Sequence, residues 1–135
     1  MKLIHQQQPT NFTCMVTCAA MLIEMPVSEA FEKYHADMYD GNRTWYDDIL
    51  EEHGIPFEFG HPRYPRLRTG NVYCLNVPSL NSDCSHAIVV DMRGPKMRVL
   101  DPNLGREGSL FYGEGGAELK TWYINVCIPG SVYEA

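Results

Sequence analysis

The apolar residues of this chain change their spacing once, and that change limits the fold more than any other feature. From Cys14 to about Gly54 they follow a helical period; from Ile55 onward they gather in short runs rich in β-branched and aromatic side chains. The run "CMVTCAAMLIEM" predicts a helix over residues 14–25. Val16, Ala19, Ala20 and Ile23 recur at helical spacing, Thr13 offers a cap, and Pro26 closes it. Apolar character extends around much of that cylinder, which places the helix centrally rather than on the surface. Ser28 offers a cap for a second helix reaching about Tyr39. Thr44 and Asp47 have the spacing of a capping box for a third, which Gly54 would end. Thereafter "IPFEF", "NVYCLNV", "HAIVVDM", "KMRVLD" and "TWYINVCI" read as strands bounded by Gly, Pro, Asn and Asp. Helices first and strands second, without βαβ alternation, predict an α+β fold in which N-terminal helices pack on a mostly antiparallel sheet.

At 135 residues the chain is expected to form one domain over 1–135 with a core of its own. A net charge of −6 argues against a nucleic-acid or anionic-membrane binder. No apolar run approaches the roughly 20 residues that span a bilayer. The opening "MKLIHQQQP" lacks the apolar stretch of a secretory signal, so a cytoplasmic location is expected. Cys14, Cys18, Cys74, Cys84 and Cys127 are odd in number, which favours free thiols over a disulfide framework.

A thiol attacks as thiolate, and a helix N-terminus, a neighbouring imidazolium and partial exposure all favour that form. Cys14 follows the polar coil "HQQQPTNFT" and opens the first helix, where unpaired N–H groups and the dipole favour negative charge. Cys18, one turn further in, lies deeper in the apolar run and reads as core. His86 begins an apolar strand after the polar loop "SLNSDCS", a position from which an imidazole can face a cleft. If the following turn is Arg93-Gly94, His86 lies directly opposite Asp101 on the returning strand, where a carboxylate would orient the ring. A turn displaced by one residue would make the two diagonal neighbours. Acyl transfer also needs donors for the developing oxyanion. The Cys14 N–H is one, and three glutamines in the coil offer another.

Gln8, five intervening residues and Cys14 at a helix start, with His86 at a strand start and Asp101-Pro102 ending the next strand, resemble the papain-like cysteine peptidases. Within these the chain is most similar to the peptidases that process bacteriocin and peptide precursors at double-glycine leaders, over about residues 5–105. The resemblance implies Cys14 as nucleophile, His86 as general base and acid, Asp101 as the residue orienting His86, and the Gln8 side chain in the oxyanion hole. It implies a peptide or protein substrate, a peptide or isopeptide bond as target, and no metal or organic cofactor. The leader peptidases usually carry glycine directly after the nucleophile; here it is Met15.

Other readings compete. Cys14, Cys18, Cys84 and His86 could supply four zinc ligands, at spacings unlike common zinc motifs. His5, His35, His53 and His61 have no nameable partner and are expected at the surface. "HPRYPRLRTG" reads as an extended solvated loop, or as a basic rim of Arg63, Arg66 and Arg68 for an acidic partner. "GEGG" at 113–116 lacks the Lys-Ser/Thr of a phosphate loop and reads as a flexible loop. From a different class, the fold could serve as a non-catalytic module that holds a peptide or protein in the same cleft.

Overall fold

A computed structural model describes residues 1–40, 43–61, 63 and 65–135. Three helices come first, α1 (Cys14–Ile23), α2 (Val27–Tyr39) and α3 (Tyr46–Glu52), followed by five strands. The strands are β1 (Glu58–Phe59), β2 (Asn71–Pro78), β3 (Ser85–Asp91), β4 (Arg98–Leu100) and β5 (Tyr123–Pro129), with a short 3₁₀ turn over Gly130–Val132. All five form one antiparallel sheet in the order β1-β5-β2-β3-β4. The expected α+β architecture is therefore present, with helices packed on the sheet.

Both faces of the sheet are covered, which explains why its strands are almost continuously apolar rather than alternating. Val72, Cys74, Ala87, Val89, Leu100, Val126 and Ile128 join the helices in one core. Tyr73, Leu75, Val77, Ile88, Val90 and Tyr112 build a second against loop residues such as Leu67, Leu119 and Trp122. Within α1 only Met15 is not fully buried, in keeping with a central helix that packs on α2 and β3.

The helix boundaries differ from expectation in a consistent way. The Thr13 hydroxyl does not cap α1; it donates to the Thr10 carbonyl and accepts from the Thr10 N–H, closing a turn ahead of the helix. α1 stops at Ile23, where Glu24 takes a left-handed conformation (φ 54°). α2 begins at Val27, before Ser28, because Gln6 does the capping from outside. Its Oε1 accepts from Val27 N–H at 2.8 Å while its Nε2 donates to the Met25 carbonyl at 2.7 Å. In α3 the box is shifted by one residue, with Asp48 Oδ2 accepting from the Trp45 N–H.

Residues 1–8 form a strap across the molecule. Glu134 N–H donates to the Met1 carbonyl at 2.6 Å, bringing residues 1 and 134 together. Lys2 N–H donates to Glu24, Leu3 is buried and its carbonyl accepts from Arg98, and Gln8 N–H donates to the Pro102 carbonyl. Of the "HPRYPRLRTG" loop, Pro62 and Tyr64 lie outside the described residues; Arg63, Arg66 and Arg68 are exposed. "GEGG" closes a hydrogen-bonded turn between Tyr112 and Ala117. Gly113 and Gly115 have positive φ, and a Cβ on Gly116 would sit 2.3 Å from the Phe111 carbonyl oxygen.

Gln6→Ala removes two bonds at the α1–α2 junction and leaves the Val27 donor uncapped, a loss of about 1–2 kcal/mol. Urea denaturation is expected to show the lowered midpoint, with the thiol reactivity of Cys14 unchanged.

Candidate active site

The nucleophile candidate is set by the coil before α1. Thr10 and Thr13 lock that coil into a turn, and Thr17 secures it from within the helix, donating both its N–H and its hydroxyl to the Thr13 carbonyl. Because the Thr13 hydroxyl is spent on Thr10, no side chain caps the first turn of α1. The N–H groups at Cys14 are thus available to negative charge. Cys14 itself is only 8% exposed. Tyr39, at the end of α2, borders it: burial first, then the Cys14 charge, push that phenol up to about 12.

On the opposite side, the structure brings His86 and Asp101 together as expected but through a different register. The β3–β4 pairs are Val89–Leu100, Val90–Val99 and Asp91–Arg98, so the turn centres on Gly94-Pro95 rather than Arg93-Gly94. β4 is displaced by two residues from the expected pairing, and His86 is not directly opposite Asp101. An even displacement preserves which face each side chain takes, whereas an odd one would have reversed it. Asp101 therefore remains on the side of His86, just past the end of β4. It accepts from His86 Nε2 through Oδ1 at 2.7 Å. The turn that follows Asp101 brings Asn103 against His86, its Nδ2 3.4 Å from Nε2. Asn103 is the residue that the sequence reading missed; it lies in the turn beyond β4, where strand register gives no signal.

Asp101 is fully buried and densely bonded. Oδ1 also accepts from Asn103 N–H at 2.8 Å, and Oδ2 accepts from Tyr112 N–H at 2.8 Å. Its carbonyl accepts from Leu104 N–H and from His5 Nε2, the latter at 2.7 Å. His5, expected to be an idle surface residue, is instead a support of this carboxylate's backbone. His53 likewise has a partner, the Tyr34 hydroxyl at 2.9 Å; His35 stacks between Phe31 and Tyr39; and the His61 ring accepts from Arg63 N–H.

Burial is the largest influence on His86 and opposes the imidazolium. The Asp101 hydrogen bond, a hydrogen bond with Cys14 and the charges of both outweigh it, raising the ring to about 9. With Nε2 committed to Asp101, Nδ1 is the nitrogen left for Cys14. Cys18 is fully buried, and burial, then its bond with Cys74 and the charges of Cys74, Cys14 and Asp101, hold its thiol well above the usual range. It is a core residue, as expected. Cys84 is exposed, and among the described residues no group of three or more His, Cys, Asp or Glu side chains is placed to hold a metal ion.

The three glutamines separate. Gln6 caps α2 and Gln7 is exposed, its Oε1 lying 3.1 Å from where a Cβ on Gly105 would stand. Gln8 is 2% exposed, with Nε2 donating to the Thr10 carbonyl at 2.7 Å. That acceptor fixes which end of the amide faces Thr10 and leaves one N–H of Nε2 for a further acceptor. Gln8 Oε1 is buried with no partner among the described residues.

The raised His86 has a stability consequence. Its ordinary value is 6.5 and its folded value about 9, so its contribution is fully present below about pH 6.5 and is lost as pH rises through about 9. Chemical denaturation between pH 6 and 10 is expected to show stability falling by on the order of a few kcal/mol. In His86→Gln that slope should flatten.

No protein-family model matches the chain, and no curated protein matches it in sequence.

Proposed function

We propose that the chain is a papain-like cysteine hydrolase that cleaves a peptide or isopeptide bond. The observation that carries this reading is a buried imidazole, held by the Asp101 carboxylate and raised to about 9, interacting with a cysteine at the uncapped start of a helix. A structural histidine in such a core needs one partner; here the second is a thiol placed where backbone N–H groups favour its anion.

The chemistry runs in two halves. The Cys14 thiolate attacks the substrate carbonyl carbon, and the π electrons move to oxygen. That oxyanion is met by the Cys14 N–H and by the Nε2–H of Gln8 that Thr10 does not use. Imidazolium His86 gives its Nδ1 proton to the leaving amine as the C–N bond breaks, and a thioester remains. Neutral His86 then takes a proton from water, whose oxygen attacks the thioester; collapse expels the Cys14 thiolate and releases the acid. Asp101 keeps Nε2–H pointed at itself through both halves, so Nδ1 always faces the thiol. Among the described residues no helix is long and apolar enough to cross a membrane.

One observation favours the second reading, a module that binds without cleaving. Cys14 and Gln8 are both nearly enclosed, so a substrate carbonyl must displace protein to reach them. Thiol chemistry separates the two. At neutral pH, iodoacetamide should alkylate Cys14 well ahead of exposed Cys84, and His86→Ala should bring Cys14 down to the rate of an ordinary or slower thiol. A Cys14 no faster than Cys84 in the unaltered protein would support the binding module. Once a peptide substrate is found in a fluorogenic library, Gln8→Ala should lower kcat by about 10²–10³-fold, the typical effect of removing one oxyanion donor. Cys14 alkylation should persist in that variant, and Gln7→Ala should leave turnover intact.

A further inference from the structure

Arg106 lies outside every motif singled out in the sequence, yet its guanidinium spans the candidate site. Its Nη1 donates to Asn11 Oδ1 at 2.8 Å and to Asn103 Oδ1 at 3.4 Å. Asn11 belongs to the coil three residues before Cys14, and Asn103 stands against His86. One side chain therefore ties the nucleophile's coil to the loop that carries the base's neighbours. The loop is shaped for this reach by successive turns: Leu104 N–H donates to the Asp101 carbonyl, Arg106 N–H to the Asn103 carbonyl, and Ser109 N–H to the Arg106 carbonyl. Gly105, at φ 91°, makes the bend an L side chain would resist.

We propose that Arg106 is a positioning residue for the hydrolase reaction, acting by fixing which end of the Asn103 amide faces His86. Arginine only donates hydrogen bonds. It therefore draws Oδ1 of Asn103 toward itself and turns Nδ2 to the imidazole. In that orientation Asp101 Oδ1, 2.7 Å from Nε2, has no rival acceptor for the Nε2 proton. Without Arg106 the amide is free to rotate, and its oxygen then competes with Asp101 for that proton. The ring turns away from the line that presents Nδ1 to Cys14, and misplacement on this scale slows reaction strongly. Asn103 is 5% exposed, so bulk water does not settle the amide's orientation in place of the guanidinium.

This inference rests on the hydrolase reading, and its test keeps the two apart. Cys14 alkylation by iodoacetamide and the low-field proton resonance of His86 Nε2–H are measured in the full chain, in Arg106→Gln, in Arg106→Lys and in Asn103→Leu with and without Arg106→Gln. The expected result is an alkylation rate about tenfold lower in Arg106→Gln, with a displaced or broadened resonance and an unchanged denaturation midpoint. Arg106→Lys, which can still only donate, should recover most of the rate, and it serves as the deciding variant if Arg106→Gln does not fold. In the Asn103→Leu background, Arg106→Gln should cost nothing further. The proposal is overturned if Arg106→Gln leaves rate and resonance unchanged, or if its full loss persists on Asn103→Leu, which would assign the effect to Asn11. A Cys14 that alkylates no faster than Cys84 in the unaltered protein sinks the hydrolase reading, and with it the role in reaction; a displaced resonance would then report Asn103 orientation alone.

Discussion

A single buried carboxylate organises this molecule. Asp101 accepts three hydrogen bonds on its oxygens, from His86, Asn103 and Tyr112, and two on its carbonyl, from His5 and Leu104. A carboxylate taken out of water is costly unless it is surrounded by donors. Here those donors come from three separate stretches of chain, so satisfying one charge requires β3, the loop after β4 and the turn at Tyr112 to converge, while His5 on the N-terminal strap holds the carbonyl of the same residue. The proposed chemistry inherits its geometry from that requirement. His86 is oriented because Asp101 is, and Asp101 is fixed by peptide N–H groups of the loop and turn that follow β4.

The strap shows how local weakness is made good at long range. α1 has no side-chain cap, and α2 takes its cap from Gln6, twenty-one residues before its first helical residue. Gln8 bonds the carbonyl of Pro102 through its backbone and of Thr10 through its side chain. The polar run before Cys14 is thus no solvated tail. Three adjacent glutamines of one chemistry have three different duties because the strap passes a helix start, an open surface and a buried loop in succession.

Much of the fold was legible in the sequence, because it follows from apolar spacing: all three helices and all five strands lie where the periodicity puts them. The juxtaposition of Cys14, His86 and Asp101 was legible as well, for a reason that register makes clear. Misplacing the β3–β4 turn displaced the pairing by an even number of residues, which leaves side chains on the same face. What could not be read were the cap of α2, the support from His5, and the bond from Arg106 to Asn11. Each depends on a contact between residues far apart in the chain, and neither propensity nor spacing encodes where a glutamine, histidine or arginine side chain will end. The local caps failed for a related reason. Thr13, Ser28 and Thr44 are all competent to cap, but the Thr13 hydroxyl oxygen accepts from the Thr10 N–H instead, and the caps of the other two helices fall at Pro26 and Trp45.

The pairing of Met1 with Glu134 is a backbone bond, not mere proximity. The strap that carries His5, Gln6 and Gln8 is thereby anchored at both of its ends, to Glu134 through residue 1 and to Pro102 through Gln8. It holds the loop of Asp101 as a clamp fastened on either side, rather than as a tether fixed at one point.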